Sequence, residues 1–229
     1  MFKEIPVPMR VASLFSGGKD SAYALYIAQQ WGWEVTQLVS LFAKNPDSFM
    51  YHTVNIHLTK HLAQAIDIPL HFAETAGEKE KELNELKHIL KPLDIDGVVS
   101  GAIASEYQRT RIEQVCDELG IKSFTPLWHK HQELLLHDQV NAGFHIIIVG
   151  VFAQGFDETW LGRTIDEQCI MELRYLHEKA GINSAGEGGE FETLVVDGPP
   201  FKQKLVIDEM RKYWHRDRGT LVVKKAHLE

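Results

Sequence analysis

The chain has 229 residues, with 24 Lys and Arg against 32 Asp and Glu (a formal net charge of -8) and 44% hydrophobic residues. This suffices to bury a real core in one large domain or two small ones, and the negative balance argues against a direct nucleic-acid partner, whose footprint takes clustered Lys and Arg. The longest apolar run, "HIIIVGVFA" (His145 to Ala153), is far short of the roughly 20 residues of a membrane-crossing helix, "MFKEIPVPMR" lacks the apolar centre of a signal peptide, and Cys116 and Cys169 have no CxxC spacing, so a cytoplasmic protein without membrane spans or disulfides is expected.

In chain order, the β-rich runs "VASLF", "VTQLVSLFA", "IPLHFA" and "GVVSGA" alternate with helix-period segments, the signature of a parallel α/β sheet. Val54 to Ile66 reads as a helix with Val54, Leu58, Leu62, Ala65 and Ile66 on one face, and Leu83, Leu86, Ile89 and Leu90 share a face in the next. The mixed charges of "GEKEKELNELKHILK" read as a solvated helix face. Cys116 falls on one helical face with Ile112, Val115 and Leu119 and is expected to pack as a small hydrophobe. After "KSFTPLW" (Lys122 to Trp128) the pattern changes to a polar helix, the strand "HIIIVGVFA", another helix, "FETLVVDGPP" and two further β-rich runs. The division expected is residues 1–125 as a nucleotide-binding domain and 126–229 as a smaller α+β substrate-binding lobe.

Between the first strand and its helix stands "LFSGGKDSAYAL" (Leu14 to Leu25). A Walker A loop would place glycine at Ser13 and a hydroxyl at Asp20, and a dinucleotide G-x-G-x-x-G cannot be drawn through the adjacent Gly17 and Gly18. What remains is a tight turn opening a helix, where glycines let an anion approach, backbone N–H groups and the helix dipole receive it, and Lys19, Ser16 and Ser21 add a cation and donors. Asp20 makes sense beside phosphate if Mg²⁺ lies between them. The plain alternative is a glycine turn with an acidic first helical turn.

"SGGKDS" resembles the pyrophosphate loop of the N-type ATP pyrophosphatases, which hold the β- and γ-phosphates and cleave ATP between α and β. Three further stretches, "SFMYHTVN" (Ser48 to Asn55), "SGAIASEYQRTRIE" (Ser100 to Glu113) and "GEGGEFETLV" (Gly186 to Val195), resemble the diphthine–ammonia ligase family within that superfamily. The resemblance implies a Rossmann-like parallel sheet of the adenine nucleotide alpha hydrolase (HUP) type with a smaller C-terminal α+β lobe. It implies ATP-dependent amidation, with ammonium, of the diphthine carboxylate on elongation factor 2 through an acyl-adenylate, releasing AMP and pyrophosphate. The nucleotide would be held by Ser16, Gly17, Gly18, Lys19, Asp20 and Ser21, with Gly101 and with Tyr51 and His52 beside the adenine or the acyl-adenylate, and Mg²⁺ by Asp20. Tyr51 and His52 could equally be a buried polar pair.

Arg109 and Arg111 follow the fourth β-rich run, where two guanidiniums could stabilise charge as pyrophosphate leaves; exposed residues pairing with Glu113 are the alternative. In "GEGGEFET", Gly188, Gly189 and Thr193 accompany Glu187, Glu190 and Glu192, whose charge suits the trimethylammonium group of diphthine, with Phe191 as a possible aromatic face; solvated glutamates on a glycine turn are the alternative. "GFDETWLGR" also resembles the family, and Asp157, Glu158 and Trp160 could line a cleft or simply pack. His129, His131 and His137 lack metal-ligand spacing. A glutaminase would need an activated cysteine nucleophile, and neither cysteine lies in such a motif, so free ammonium is the expected nitrogen donor. Amidation of another carboxylate, tRNA thiolation and nucleotide sensing are the competing functions; a homodimer stays open.

Overall fold

The strand Arg10–Leu14 (β1) sends Val11 to one face and Ala12 to the other, and both are fully buried, as in a strand covered on both sides. The structure, a computed structural model, describes residues 7–43, 54–75 and 79–229. β1 lies between β2 (Glu34–Ala43) and β4 (Gly97–Val99), with β3 (Leu70–Thr75) and β5 (Lys122–Phe124) outside them, all parallel, in the order β3-β2-β1-β4-β5. The crossovers carry α1 (Lys19–Gln30), α2 (Thr59–Ile66), α3 (Lys79–Leu90) and α4 (Glu106–Leu119). Leu25 and Ala28 of α1 and Leu62 and Ile66 of α2 cluster with Val11, whereas Leu86 and Leu90 of α3 and Ile112, Val115 and Cys116 of α4 cluster with Ala12. The expected Rossmann-like parallel sheet is present.

A second sheet belongs to the C-terminal lobe. After α5 (Gln132–Asn141) come β6 (His145–Val151), α6 (Glu167–Ala180), β7 (Phe191–Asp197), β8 (Leu205–His215) and β9 (Arg218–Leu228), with the strands antiparallel in the order β7-β6-β9-β8. The two lobes share one apolar interior: Val11, Phe15 and Leu25 cluster with Leu135, Leu136, Ile146, Ile148 and Leu194.

The helix expected over Val54 to Ile66 is interrupted. Asn55 adopts the left-handed conformation (φ 59°), a 3₁₀ turn follows over Ile56–Leu58, and only then does α2 begin. The reason lies in the other lobe. β6 pairs with β9 only at Thr220 and Gly219; further along β9 the buried Asn55 amide donates to the Leu221 carbonyl (2.8 Å) and accepts from the Val223 N–H (2.9 Å). One side chain thus completes the hydrogen bonding of a strand more than 160 residues away.

Cys116 and Cys169 are 1% and 0% exposed, and burial pushes their thiols up to about 11 and about 12. Both are therefore neutral thiols at pH 8, and iodoacetamide is expected to leave the native protein unmodified while alkylating both sites in denaturant, read by intact mass. Asn55→Ala and Asn55→Gly should both lower stability by roughly 2–4 kcal/mol in urea titrations, because each strands a buried carbonyl and a buried N–H of β9. A glycine variant as stable as the parent would show that only the left-handed backbone matters there.

Candidate active site

An open parallel sheet takes ligands outside the carboxyl ends of its strands, where successive strands turn to opposite sides. Here that point lies between β1 and β4, and the chain leaving each enters the crevice. A cavity of about 640 Å³ occupies it, within the range of small-molecule sites. Val39, Leu41, Val54, Ile56 and Ile112 give it an apolar wall; Ser16, Gly18, Lys19, Asp20 and Ser21 line one polar side, and residues 186–189 with 191–193 another.

The loop after β1 is a compact knot of hydrogen bonds. Gly17 takes φ +80°, which a side chain would strain, and its carbonyl accepts from the Val195 N–H of β7 (2.9 Å). The Ser16 and Ser21 hydroxyls meet at 3.1 Å, and Ser21 also donates to the Gly18 carbonyl (3.0 Å). Gly18 caps α1 without a side chain of its own, and its N–H donates to the Ser16 hydroxyl (3.3 Å). Lys19 donates its N–H to the Thr193 hydroxyl (3.1 Å). Its ammonium, on a side chain only 3% exposed, pairs with Asp20 Oδ2 at 2.6 Å and lies 5.9 Å from the centre of the Phe191 ring. Asp20 Oδ1 accepts from Gln139 Nε2 of α5 at 3.0 Å.

Gly101 lines the cavity from the β4 side, and its role is steric. A Cβ there would stand 2.7 Å from the Asp20 carbonyl carbon and 2.8 Å from the Ser21 nitrogen, so only glycine lets the two loops meet.

The three glutamates of the glycine-rich stretch part ways. Glu187 lines the cavity, and its Oε1 accepts from the backbone N–H groups of Ile103 (3.3 Å), Ala104 (2.9 Å) and Ser105 (3.0 Å), just ahead of α4. Glu190 is absent from the lining; its Oε1 accepts from the Asn183 N–H (2.8 Å). Glu192 lines the cavity together with Gly188, Gly189, Phe191 and Thr193.

Arg109 and Arg111 are outside the lining as well. Arg109 lies 3.6 Å from Glu106 and 3.5 Å from Glu113 and covers the Trp128 ring at 4.5 Å; Arg111 covers the Tyr107 ring at 3.7 Å, and it is Tyr107 that reaches the cavity. Trp160 is buried edge-on to Phe156, and Asp157 caps its own 3₁₀ turn through the Thr159 N–H (2.9 Å); neither lines the cavity, nor does Glu158. Tyr51 and His52 lie outside the described residues.

Several lining residues escaped the reading of the sequence: Ser100, Ser105, Tyr107 and Gln108. All fall within "SGAIASEYQRTRIE", where the arginines drew attention by charge alone. Gln139 belongs to no quoted motif; its one signal is an amide among Leu135 and Leu136 on the buried face of α5.

If the loop receives the phosphates of ATP, Gly101→Ala should weaken binding of a non-hydrolysable ATP analogue about tenfold or more by calorimetry, because the inserted methyl displaces the Asp20–Ser21 backbone at the start of α1. Gly120→Ala is the control: it also replaces a glycine, at φ +69° with open space around it, and should lower stability by roughly 1 kcal/mol without changing nucleotide affinity.

Comparison with known proteins bears on this geometry. The family model described as the diphthamide synthase N-terminal domain matches residues 9–123, and that of the diphthamide synthase C-terminal domain matches residues 131–228. A diphthine–ammonia ligase of Danio rerio is 35% identical over 96% of this chain and 97% of its own length, and the Homo sapiens protein of the same name is 35% identical over 90% of this chain and 86% of its own. The Schizosaccharomyces pombe relative is 36% identical over 90% of this chain, which spans only 37% of that longer protein. With both family models matched in order and a cavity that joins their halves, the chain belongs to the diphthamide synthase family, whose curated members are diphthine–ammonia ligases.

Proposed function

We propose that the chain amidates the diphthine carboxylate of elongation factor 2, using ATP and free ammonium and releasing AMP and pyrophosphate. The observation that carries this reading is the meeting, in one cavity, of the loop 16–21, Gly101 and the stretch 186–193, which are the parts needed to bring a nucleotide and an acidic acceptor site together.

A carboxylate is a poor electrophile, so it must first be activated. In the proposed first step its oxygen attacks the α-phosphorus, a P–O bond to pyrophosphate breaks, and an acyl-adenylate forms. The start of α1 and the Lys19 ammonium hold the departing charge. Ammonia then attacks the activated carbonyl, a C–N bond forms, the C–O bond to AMP breaks, and a proton is lost from nitrogen.

The residues also fit Mg²⁺. The described residues contain no group of three or more His, Cys, Asp or Glu that could cage a metal, and Asp20 is the carboxylate at the loop. Oδ2 accepts a hydrogen bond from Lys19 and Oδ1 one from Gln139, and a carboxylate oxygen has a second lone pair. One carboxylate with phosphate oxygens and waters is how Mg²⁺ is ordinarily held, and when bound it would neutralise charge on the phosphates.

On the acceptor side, a trimethylammonium group offers no N–H, so its partners are negative charge and aromatic faces. Glu187 and Glu192 bring carboxylates to the cavity and Phe191 a ring, although the ring also faces Lys19. The cysteines support free ammonium as the nitrogen donor: both are buried with raised thiol pKa values, a poor basis for a glutaminase nucleophile.

Incubation with Mg²⁺-ATP, ammonium and diphthine-bearing elongation factor 2 should yield AMP, pyrophosphate and the mass change of an amidated carboxylate. Release of ADP, or AMP formation indifferent to the factor, overturns the reading. Asp20→Ala should lower kcat by about a hundredfold or more. Glu192→Gln should raise the acceptor KM roughly tenfold while leaving ATP affinity unchanged. Glutamine offered instead of ammonium should give no product.

A further inference from the structure

Gln139 is 0% exposed in the last turn of α5, between Leu135 and Leu136 of the buried face and the turn that leads to Phe144. A buried amide has four hydrogen-bonding positions to satisfy. Here Nε2 donates to Asp20 Oδ1 at 3.0 Å, while Oε1 is buried with no partner among the described residues. Such an orphaned acceptor is destabilising, and replacing it with an apolar side chain of similar volume would remove that penalty. Packing and stability therefore favour leucine at this position. What leucine cannot do is hold Asp20.

Asp20 itself is part of the cavity wall: its side chain is 26% exposed, and beside the Gln139 amide its carboxylate is held by the ammonium of its neighbour Lys19. Lys19 alone would draw both oxygens toward itself. The amide from α5 takes Oδ1 while Lys19 keeps Oδ2, so the plane of the carboxylate is set by two donors from two lobes.

We propose that Gln139 is a positioning residue, held in the core at a cost in stability, that fixes the Asp20 carboxylate in the orientation required by the cation on the bound nucleotide. The proposal rests on the reading of Asp20 as the carboxylate that meets Mg²⁺-ATP.

The test needs no acceptor protein. Binding of α,β-methylene ATP is measured by calorimetry in Mg²⁺ and in EDTA for the full chain, Gln139→Leu, Gln139→Met, Asp20→Asn and the Gln139→Leu/Asp20→Asn double variant, alongside thermal midpoints. Gln139→Leu and Gln139→Met should weaken binding about tenfold in Mg²⁺ and less than about twofold in EDTA. In the Asp20→Asn background, Gln139→Leu should add less than about twofold, because the group it positions has already been changed. The midpoint of Gln139→Leu should stay the same or rise.

Equal weakening in Mg²⁺ and EDTA, additive effects in the double variant, or a lowered midpoint with Mg²⁺ dependence intact would each overturn the proposal in favour of a packing role. Because these measurements omit elongation factor 2, a chain that passes them and still fails to amidate diphthine would refute the ligase reading alone.

Discussion

A lysine ammonium buried at the first residue of α1 is the constraint from which the rest of the site follows. Removing such a charge from water is unfavourable unless a counter-charge and hydrogen bonds receive it. Lys19 has Asp20 at 2.6 Å, and its backbone is tied to Thr193. Almost none of this support comes from the parallel sheet. Thr193 and Val195 belong to β7, Gln139 to α5, and the Leu62 that packs against Gly17 to α2. The loop is encoded in the N-terminal half, yet most of these contacts come from the C-terminal one, so the shared apolar interior is a condition for the loop's conformation as well as for stability.

That dependence explains what could and could not be read from the sequence. Alternating runs announce a parallel α/β sheet because buried parallel strands are apolar on both faces, and "SGGKDS" raises the expectation of an anion site because glycine, lysine and aspartate at a helix start have few other uses together. Such signals are local. The interruption at Asn55 is not local: its left-handed backbone serves β9, which lies beyond residue 217. Gln139 is invisible for the same reason, since its partner is 119 residues away.

Charge was legible where direction was not. Glu187, Glu190 and Glu192 look equivalent as letters, yet Glu187 receives backbone N–H groups ahead of α4 at the cavity edge, Glu190 braces its own loop at Asn183 away from the cavity, and Glu192 lines the cavity. Arg109 and Arg111 illustrate the same limit. Their charge suggests phosphate, but one guanidinium packs on Trp128 and the other on Tyr107, where stacking uses the flat face of the side chain. If either arginine serves the proposed reaction, it does so from behind the lining residues.

The Glu187 clasp bears on how the proposed reaction can proceed. A single carboxylate oxygen receiving three backbone N–H groups at the start of a helix is a charge-assisted arrangement reinforced by the helix dipole. It joins the 186–189 turn of the C-terminal lobe to the segment that follows Gly101, while Gly101 is itself in contact with the backbone of Asp20 and Ser21. A chain of close approaches therefore runs from the proposed acceptor side of the cavity to the 16–21 loop proposed to hold phosphate. If these are the binding elements of the two substrates, as proposed, their linkage would set the separation between the attacking carboxylate and the α-phosphorus in the fold before either substrate arrives. Much of the rate acceleration in adenylation can then come from orientation already paid for in folding.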